Sequence, residues 1–248
     1  MCAVFTGNNL IKLQEIDSTN NYLALLASKE KLADGTVVIA SHQTAGKGQR
    51  GNVWQSQKGM NLTFSILYNP VNININKQFL LTQAIALGVF DYLKSKCKNV
   101  KVKWPNDLFI DHKKIGGMLI ENAIKGESIA QVVIGMGLNI NQEVFELPLS
   151  RATSLFLENG VKYKLDNELA DVLTYIEHRY LQWKNGHYNQ IKQQYLEVLY
   201  LYQHQHQFAL PNGNLLKGKI IGVADNGQLI IEDDAGFILH FGNKEIAF

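Results

Sequence analysis

The sequence predicts an α/β (α+β) fold: a central mixed β-sheet flanked by helices, followed by a small C-terminal β-barrel. Two observations lead there. Through residue 202, short β-branched runs alternate with segments whose apolar residues recur at helical spacing. From residue 203 the helical period disappears, and short strands follow one another across Asn-Gly turns. The chain therefore divides into a larger unit, residues 1–202, and a small barrel, residues 203–248.

Each element has a local cause. Ile11 to Ile16 reads as a strand, and Asp17-Ser18-Thr19-Asn20 offers N-cap residues that open a helix through Tyr22, Leu23, Leu25 and Leu26. Thr36 to Ala40 and Asn61 to Tyr68 are apolar strands on either side of a Gly-rich loop. Phe79, Leu80, Ile85, Leu87, Phe90 and Leu93 mark a core helix over residues 77–96. Strands follow at Val100 to Trp104, Leu108 to Ile110, Gly117 to Asn122 and Ile129 to Ile134, with a tight hairpin at His112-Lys113-Lys114. Residues 166–184 and 188–199 read as helices, the first with Leu169, Val172, Leu173, Ile176, Tyr180 and Trp183 as its inward stripe. The barrel strands are Gln207–Leu210, Leu215–Val223, Leu229–Glu232 and Phe237–Phe241, joined by turns such as Asp225-Asn226-Gly227.

Composition narrows the function classes. With 46% hydrophobic and 19% charged residues, the chain is globular and not disordered. A formal net charge of +2 gives no global nucleic-acid footprint, so phosphate binding must be local. Cys2 and Cys97 form no disulfide framework and lack metal-ligand spacing, which suits a reducing cytoplasm. No apolar stretch approaches the ~20 residues of a membrane span, so a cytoplasmic protein without a membrane partner is expected. His204 and His206 lack further His or Cys partners and read as an edge strand, not a metal site.

Four short motifs carry chemistry. In Gly46-Lys47-Gly48-Gln49-Arg50-Gly51-Asn52-Val53-Trp54, glycines let the backbone approach a ligand while Lys47 and Arg50 supply charge for phosphate. In Lys103-Trp104-Pro105-Asn106-Asp107, Pro105 ends a strand and leaves Asn106 and Asp107 able to bind polar groups. Lys113-Lys114-Ile115-Gly116-Gly117 again pairs lysine with glycine, and Gly135-Met136-Gly137-Leu138-Asn139-Ile140-Asn141 ends a buried strand in small residues. Together they suit a reaction in which a carboxylate attacks the α-phosphate of a nucleotide, because two anions must then be neutralised. Lys47, Arg50, Lys103 and Lys114 supply the charge, while Asp107 orients a lysine or holds a hydrated metal ion.

The ordered set Asp17–Asn20, His42–Trp54, Lys103–Asp107, Lys114–Gly117 and Gly137–Asn141 resembles the biotin–protein ligases, collinearly over residues 10–160. That resemblance implies the class II aminoacyl-tRNA synthetase-like sheet of the family and an SH3-like terminal barrel. It implies ATP and biotin as substrates with Mg²⁺, and a biotin carboxyl carrier protein as the acceptor of biotin on a lysine. By the same resemblance Ser18, Thr19, Asn20 and Gln43 hold the biotin ureido end, and Gly46, Lys47, Gly48 and Gln49 form the loop that closes over biotin and its adenylate. Lys114 sits at the biotin carboxylate and α-phosphate, with Lys47 and Arg50 as further catalytic cations, and Gly117 borders the biotin rings. Arg50, Trp54, Asn106, Asp107 and Asn139 fall on the nucleotide side, although Trp54 equally suits the core or the biotin pocket.

Two departures qualify the resemblance. The family loop follows GRGRxGxxW, so Lys47 and Gln49 stand where arginines are usual, and Gln49 carries no charge. The first strand begins so early that a preceding DNA-binding helix-turn-helix has no room, and a ligase without repressor function is expected. The family admits monomers and homodimers. Rival readings are a lipoate–protein ligase and a non-catalytic biotin sensor.

Overall fold

Period-two alternation buries one residue set on each face of a sheet, and the distribution of apolar residues here requires cover on both faces. The computed structural model describes residues 3–70, 73–74, 77–125, 128–145 and 151–248, excluding the side chains of residues 50, 73, 124, 125 and 128. The strands are β1 (Leu10–Ile16), β2 (Thr36–Gln43), β3 (Leu62–Tyr68), β4 (Ile73–Asn74), β5 (Val100–Lys103), β6 (Asp107–Ile110), β7 (Lys113–Lys125), β8 (Ser128–Leu138), β9 (Gln205–Ala209), β10 (Leu215–Val223), β11 (Leu229–Asp233) and β12 (Ile238–Phe241). The helices are α1 (Thr19–Lys29), α2 (Gln78–Lys94), α3 (Leu155–Asn159), α4 (Leu165–Lys184) and α5 (Tyr188–Val198).

The main sheet has the order β1-β2-β3-β8-β7-β6-β5, with β4 pairing on β8. Only β1 and β2 run parallel, across the α1 crossover, so the sheet is mixed as expected. Neighbouring valines of β2 show how the layers are assigned. Val37 enters the large core with α2 and α4, whereas Val38 turns to the opposite face and meets Leu23 of α1, Leu67 and Val133. The six stripe residues expected on α4 are all buried. Gly88 lets α4 press onto α2: a Cβ there would stand 2.8 Å from the Cα of Ile176.

Several elements differ from the sequence expectation. The strands expected at Gly117–Asn122 and Ile129–Ile134 are longer: β7 starts at Lys113, and in β8 Gly135 and Gly137, beyond the expected strand end, pair with Leu119 and Gly117. The hairpin expected at His112-Lys113-Lys114 turns at Asp111-His112, where Asp111 has φ 51°, and both lysines belong to β7. Helix α3 was not anticipated; Ser154 caps it by accepting from the Leu157 N–H, and Gly160 ends it in the left-handed region.

The C-terminal strands form a separate antiparallel sheet, β12-β11-β10-β9, whose following residues return to β9 through paired bonds between Ala209 and Ala247. This is the small β-unit expected after residue 203, and Trp104 fastens it to the main sheet by donating its indole N–H to the Gly227 carbonyl at 2.9 Å. Among the described residues, no helix is long and apolar enough to cross a membrane.

The start of the chain is held by one carboxylate. Glu177, buried on α4, accepts the backbone N–H groups of Val4, Phe5 (2.9 Å) and Thr6 (2.6 Å). Burial pushes its carboxyl up, but the three N–H groups outweigh that and hold it below its ordinary 4.5. A depressed folded value means the contribution is complete above pH 4.5 and fades as pH falls through the lower folded value. Glu177→Gln should therefore cost about 1–3 kcal/mol in urea unfolding at neutral pH. The gap from wild type should close in acid; a pH-independent gap would rule out the charged clamp.

Candidate active site

A β-bulge decides which way Lys114 faces. In β6, Asp107 and Phe109 share one face, and their partners on β7 are Gly117 and Lys114. Three positions separate Lys114 from Gly117, which in a regular strand would place them on opposite faces. The register slips between Leu108 and Phe109, leaving Ile115 as the extra residue of β7, and Lys114 returns to the face of Asp107. Its ammonium lies 2.7 Å from the Asp107 carboxylate. The bulge is held from three sides: Lys114 N–H donates to the Arg151 carbonyl at 2.8 Å, Thr153 N–H to the Lys114 carbonyl at 2.9 Å, and Asn139 N–H to the Ile115 carbonyl at 2.9 Å.

On the same face, cross-strand pairing draws a line of short residues over the sheet: Asp107, Gly117, Gly137, Thr63 and Ala40. The next line runs through Leu119, Gly135 and Ser65. Side chains from elsewhere fill the space that these glycines leave. A Cβ on Gly137 would stand 2.2 Å from the Trp54 ring, and one on Gly135 would stand 2.3 Å from the Asn20 side-chain oxygen. The result is a cavity of about 550 Å³, large enough for a small organic ligand.

One end of the cavity is a hydrogen-bonded polar cluster at the start of α1. Gln43 Oε1 accepts from the Thr19 N–H at 2.8 Å and lies 3.0 Å from the Thr19 hydroxyl. Ser65 Oγ is 2.7 Å from the Thr19 hydroxyl and 2.6 Å from Asn20 Oδ1, while Asn20 Nδ2 donates to Glu121 at 2.8 Å. Ser18 occupies the N-cap without a side-chain capping bond, and Gln43 serves the N–H of Thr19, the first residue of α1. Ser65 was missed in the sequence, where it is one serine inside an apolar strand.

The Gly-rich loop folds as a closed finger. Trp54 N–H donates to the Gly46 carbonyl at 2.9 Å, Gly48 N–H to the Asn52 carbonyl at 2.7 Å, and a short 3-10 turn, Gln49–Gly51, forms the tip. Gly46 belongs to the stem, where a Cβ would stand 2.5 Å from the Trp54 carbonyl oxygen. Lys47 lines the cavity while its ammonium donates to Asn21 of α1, and the Arg50 side chain lies outside the described residues.

Ser18, Thr19, Asn20, Gln43, Lys47, Gly48, Gln49, Trp54, Asn106, Asp107, Lys114 and Gly117 thus all border one cavity. Asn106 does so while its side-chain amide donates to the Met118 carbonyl. Asn139 does not border it: buried beside the bulge, it donates its amide to the Thr153 carbonyl at 3.0 Å. Sequence reasoning also missed a wall contributed by the small sheet, including Leu210, Pro211, Asn243 and Phe248. Lys103 stands between the rings of Phe109 and Phe248, with its ammonium 5.0 and 4.7 Å from their centroids. Burial lowers its pKa below 10.5; Asp107 opposes this, and the Lys114 and Arg151 charges add to it. Among the described residues no group of three or more His, Cys, Asp or Glu side chains gathers to hold a metal. Among the described residues that line the cavity, Asp107 is the one acidic side chain, and it is paired with Lys114.

Comparison with known proteins matches this geometry. Residues 12–139 fit the profile of the Biotin/lipoate A/B protein ligase family. The chain is 30% identical over 234 residues to the bifunctional ligase/repressor BirA of Bacillus subtilis (strain 168), spanning 93% of this chain and 71% of that protein. It is 31% identical over 222 residues to the biotin–[acetyl-CoA-carboxylase] ligase of Mycobacterium tuberculosis, spanning 87% and 80%. Among solved structures, the biotin protein ligase of Aquifex aeolicus in complex with biotin and ATP superposes with a TM-score of 0.79 at 27% identity, covering 97% of this chain and 98% of that one.

If the glycine floor makes room for Trp54, Gly137→Ala should drive the indole out of its seat. The expected readout is a red-shifted tryptophan emission that Trp54→Phe removes, with unfolding still cooperative. An unchanged spectrum would mean that the strands spread and leave Trp54 in place.

Proposed function

Because the chain belongs to the Biotin/lipoate A/B protein ligase family, we propose that it is an ATP-dependent biotin–protein ligase. Residues 1–202 would form the catalytic unit and residues 203–248 a small unit that completes its cavity. The observation that carries the reading is the Lys114–Asp107 pair turned by the bulge onto the glycine floor, facing the polar cluster of Ser18, Thr19, Asn20 and Gln43. Biotin has the matching asymmetry: a polar ureido ring at one end, an apolar body and a carboxylate at the other.

In the first step an oxygen of the biotin carboxylate bonds to the α-phosphorus of ATP, and the bond to pyrophosphate breaks. Both reactants are anionic, so their approach is limited by repulsion. The Lys114 ammonium offsets that charge where it develops, and Lys103 and Lys47 add cations along the same cavity. Asp107 keeps the Lys114 ammonium in place before substrates arrive, which lowers the reorganisation needed during reaction. Mg²⁺ bound to ATP would help neutralise the phosphate charge; among the described lining residues Asp107 is the one acidic side chain, and it is paired with Lys114.

In the second step the neutral ε-amine of an acceptor lysine bonds to the acyl carbon, AMP leaves with the bonding pair, and the amide nitrogen loses a proton. The acceptor is a biotin carboxyl carrier protein, and the compartment is the cytoplasm. No nucleophile from this chain is needed; the intermediate must instead be kept from water until the amine arrives. The repressor activity in the name of the Bacillus relative is not carried over to this chain.

Purified protein should release pyrophosphate from ATP when biotin is added and not when lipoate is added. The reverse preference would move the chain to lipoate ligation, and release with neither would overturn the reading. Lys114→Ala should lower the biotin-dependent rate by about a hundredfold or more, as loss of a preorganised charge does elsewhere. Retention of near-normal turnover would remove Lys114 from the chemistry.

A further inference from the structure

At the tip of the Gly-rich finger, Gln49 reaches across the cavity mouth. Its side-chain oxygen accepts a hydrogen bond from the Asn243 amide, 194 positions along the chain. The finger's other backbone ties lie within itself, at Gly46–Trp54, Lys47–Val53 and Gly48–Asn52. Lys47 adds a side-chain tie to Asn21 at the stem. None of these bonds reaches the opposite wall. Among the described side chains, Gln49 ties the tip to that wall through Asn243.

The Asn243 side of this contact is built on a firm base. Gly242 N–H donates to Glu245 and Glu245 N–H returns to the Gly242 carbonyl at 3.1 Å, closing the turn that carries Asn243. Lys244, next in that turn, takes φ 72°, a left-handed conformation that a non-glycine residue adopts only when its surroundings impose it. Two bonds between Ala209 and Ala247 then pin the turn to β9, and the Trp104 bond to Gly227 pins the small sheet to the main one. Asn243 is therefore a fixed post, and the finger is the part that moves if either does.

We propose that Asn243 is a positioning residue that latches the Gly-rich finger over the cavity through Gln49, retaining the acyl-adenylate between the two half-reactions. This rests on the ligase reading above. A neutral amide pair suits the task, because a single uncharged hydrogen bond is weak enough to open for an incoming lysine. It also gives the uncharged residue at position 49 a role that needs no phosphate contact. The chemistry does not pass through either amide; both act by holding the finger that shields the acyl carbon from water.

The test is pyrophosphate release with biotin and ATP and no acceptor protein. Wild type should show a stoichiometric burst, which reports adenylate formation, followed by a slow phase set by loss of the adenylate. Asn243→Ala and Gln49→Ala should each speed the slow phase relative to the burst by about three- to tenfold, the effect of one net hydrogen bond. The double variant should be no faster than either single one. Exchanging the pair, Gln49→Asn with Asn243→Gln, keeps the summed side-chain length and should restore slow release. A merely structural loss would not be rescued by that exchange. Absence of a biotin-dependent burst in wild type would defeat the ligase reading. A normal burst with an unchanged slow phase in Asn243→Ala, or additive effects without rescue, would defeat the latch alone.

Discussion

One extra residue in β7 orients the whole site. Without the bulge at Ile115, Lys114 would face the α2 side of the sheet, away from Asp107 and the cavity. The bulge is not free to relax, because the segment Arg151 to Thr153 grips Lys114 on both its N–H and its carbonyl, while the Asn139 N–H takes the carbonyl of Ile115. Residues distant in sequence thus set the direction of one ammonium group. Local departure from regular pairing serves orientation here, as it commonly does beside functional sites.

The second constraint is the absence of side chains. Gly117, Gly135 and Gly137 clear a floor on the same sheet face that α1 covers further along, where Val38, Leu67 and Val133 pack on Leu23. One face therefore changes from core to cavity along its length, and the change needs only small residues in register on neighbouring strands. The opposite face remains core throughout, with α2 buried between the sheet and α4. That rigid backing lets a few polar groups be held at hydrogen-bond distances over an open space.

Much of this was legible in the sequence. Helical periodicity located α2, α4 and α5, and Asn-Gly turns located the C-terminal sheet, because these signals depend on neighbours a few positions apart. The motifs identified most of the residues that border the cavity for the same reason. What escaped reading depends on contacts between distant segments. Gly116, Gly135 and Gly137 fall outside the strands that local pattern marks, and only their cross-strand partners place them in β7 and β8. Ser65, which bonds to Thr19 and Asn20, carries no local mark of a site, nor do Leu210, Pro211 and Asn243 of the cavity wall. Asn139, expected beside the nucleotide, supports the bulge, a role visible only once the register of β6 and β7 is fixed. The loop cations illustrate the same limit: sequence supplies the charge of Lys47, but only the fold shows its ammonium turned to Asn21.

The claim that the bulge aims Lys114 at the reacting centre is tested most directly by a crystal structure with a non-hydrolysable analogue of biotinyl-5′-AMP. The expected result places the ureido ring at Ser18, Thr19, Asn20 and Gln43, the rings over the glycine floor, and the Lys114 ammonium on the acyl-phosphate oxygens. An analogue bound elsewhere, or bound in the cavity with Lys114 turned away from its phosphate, would contradict it.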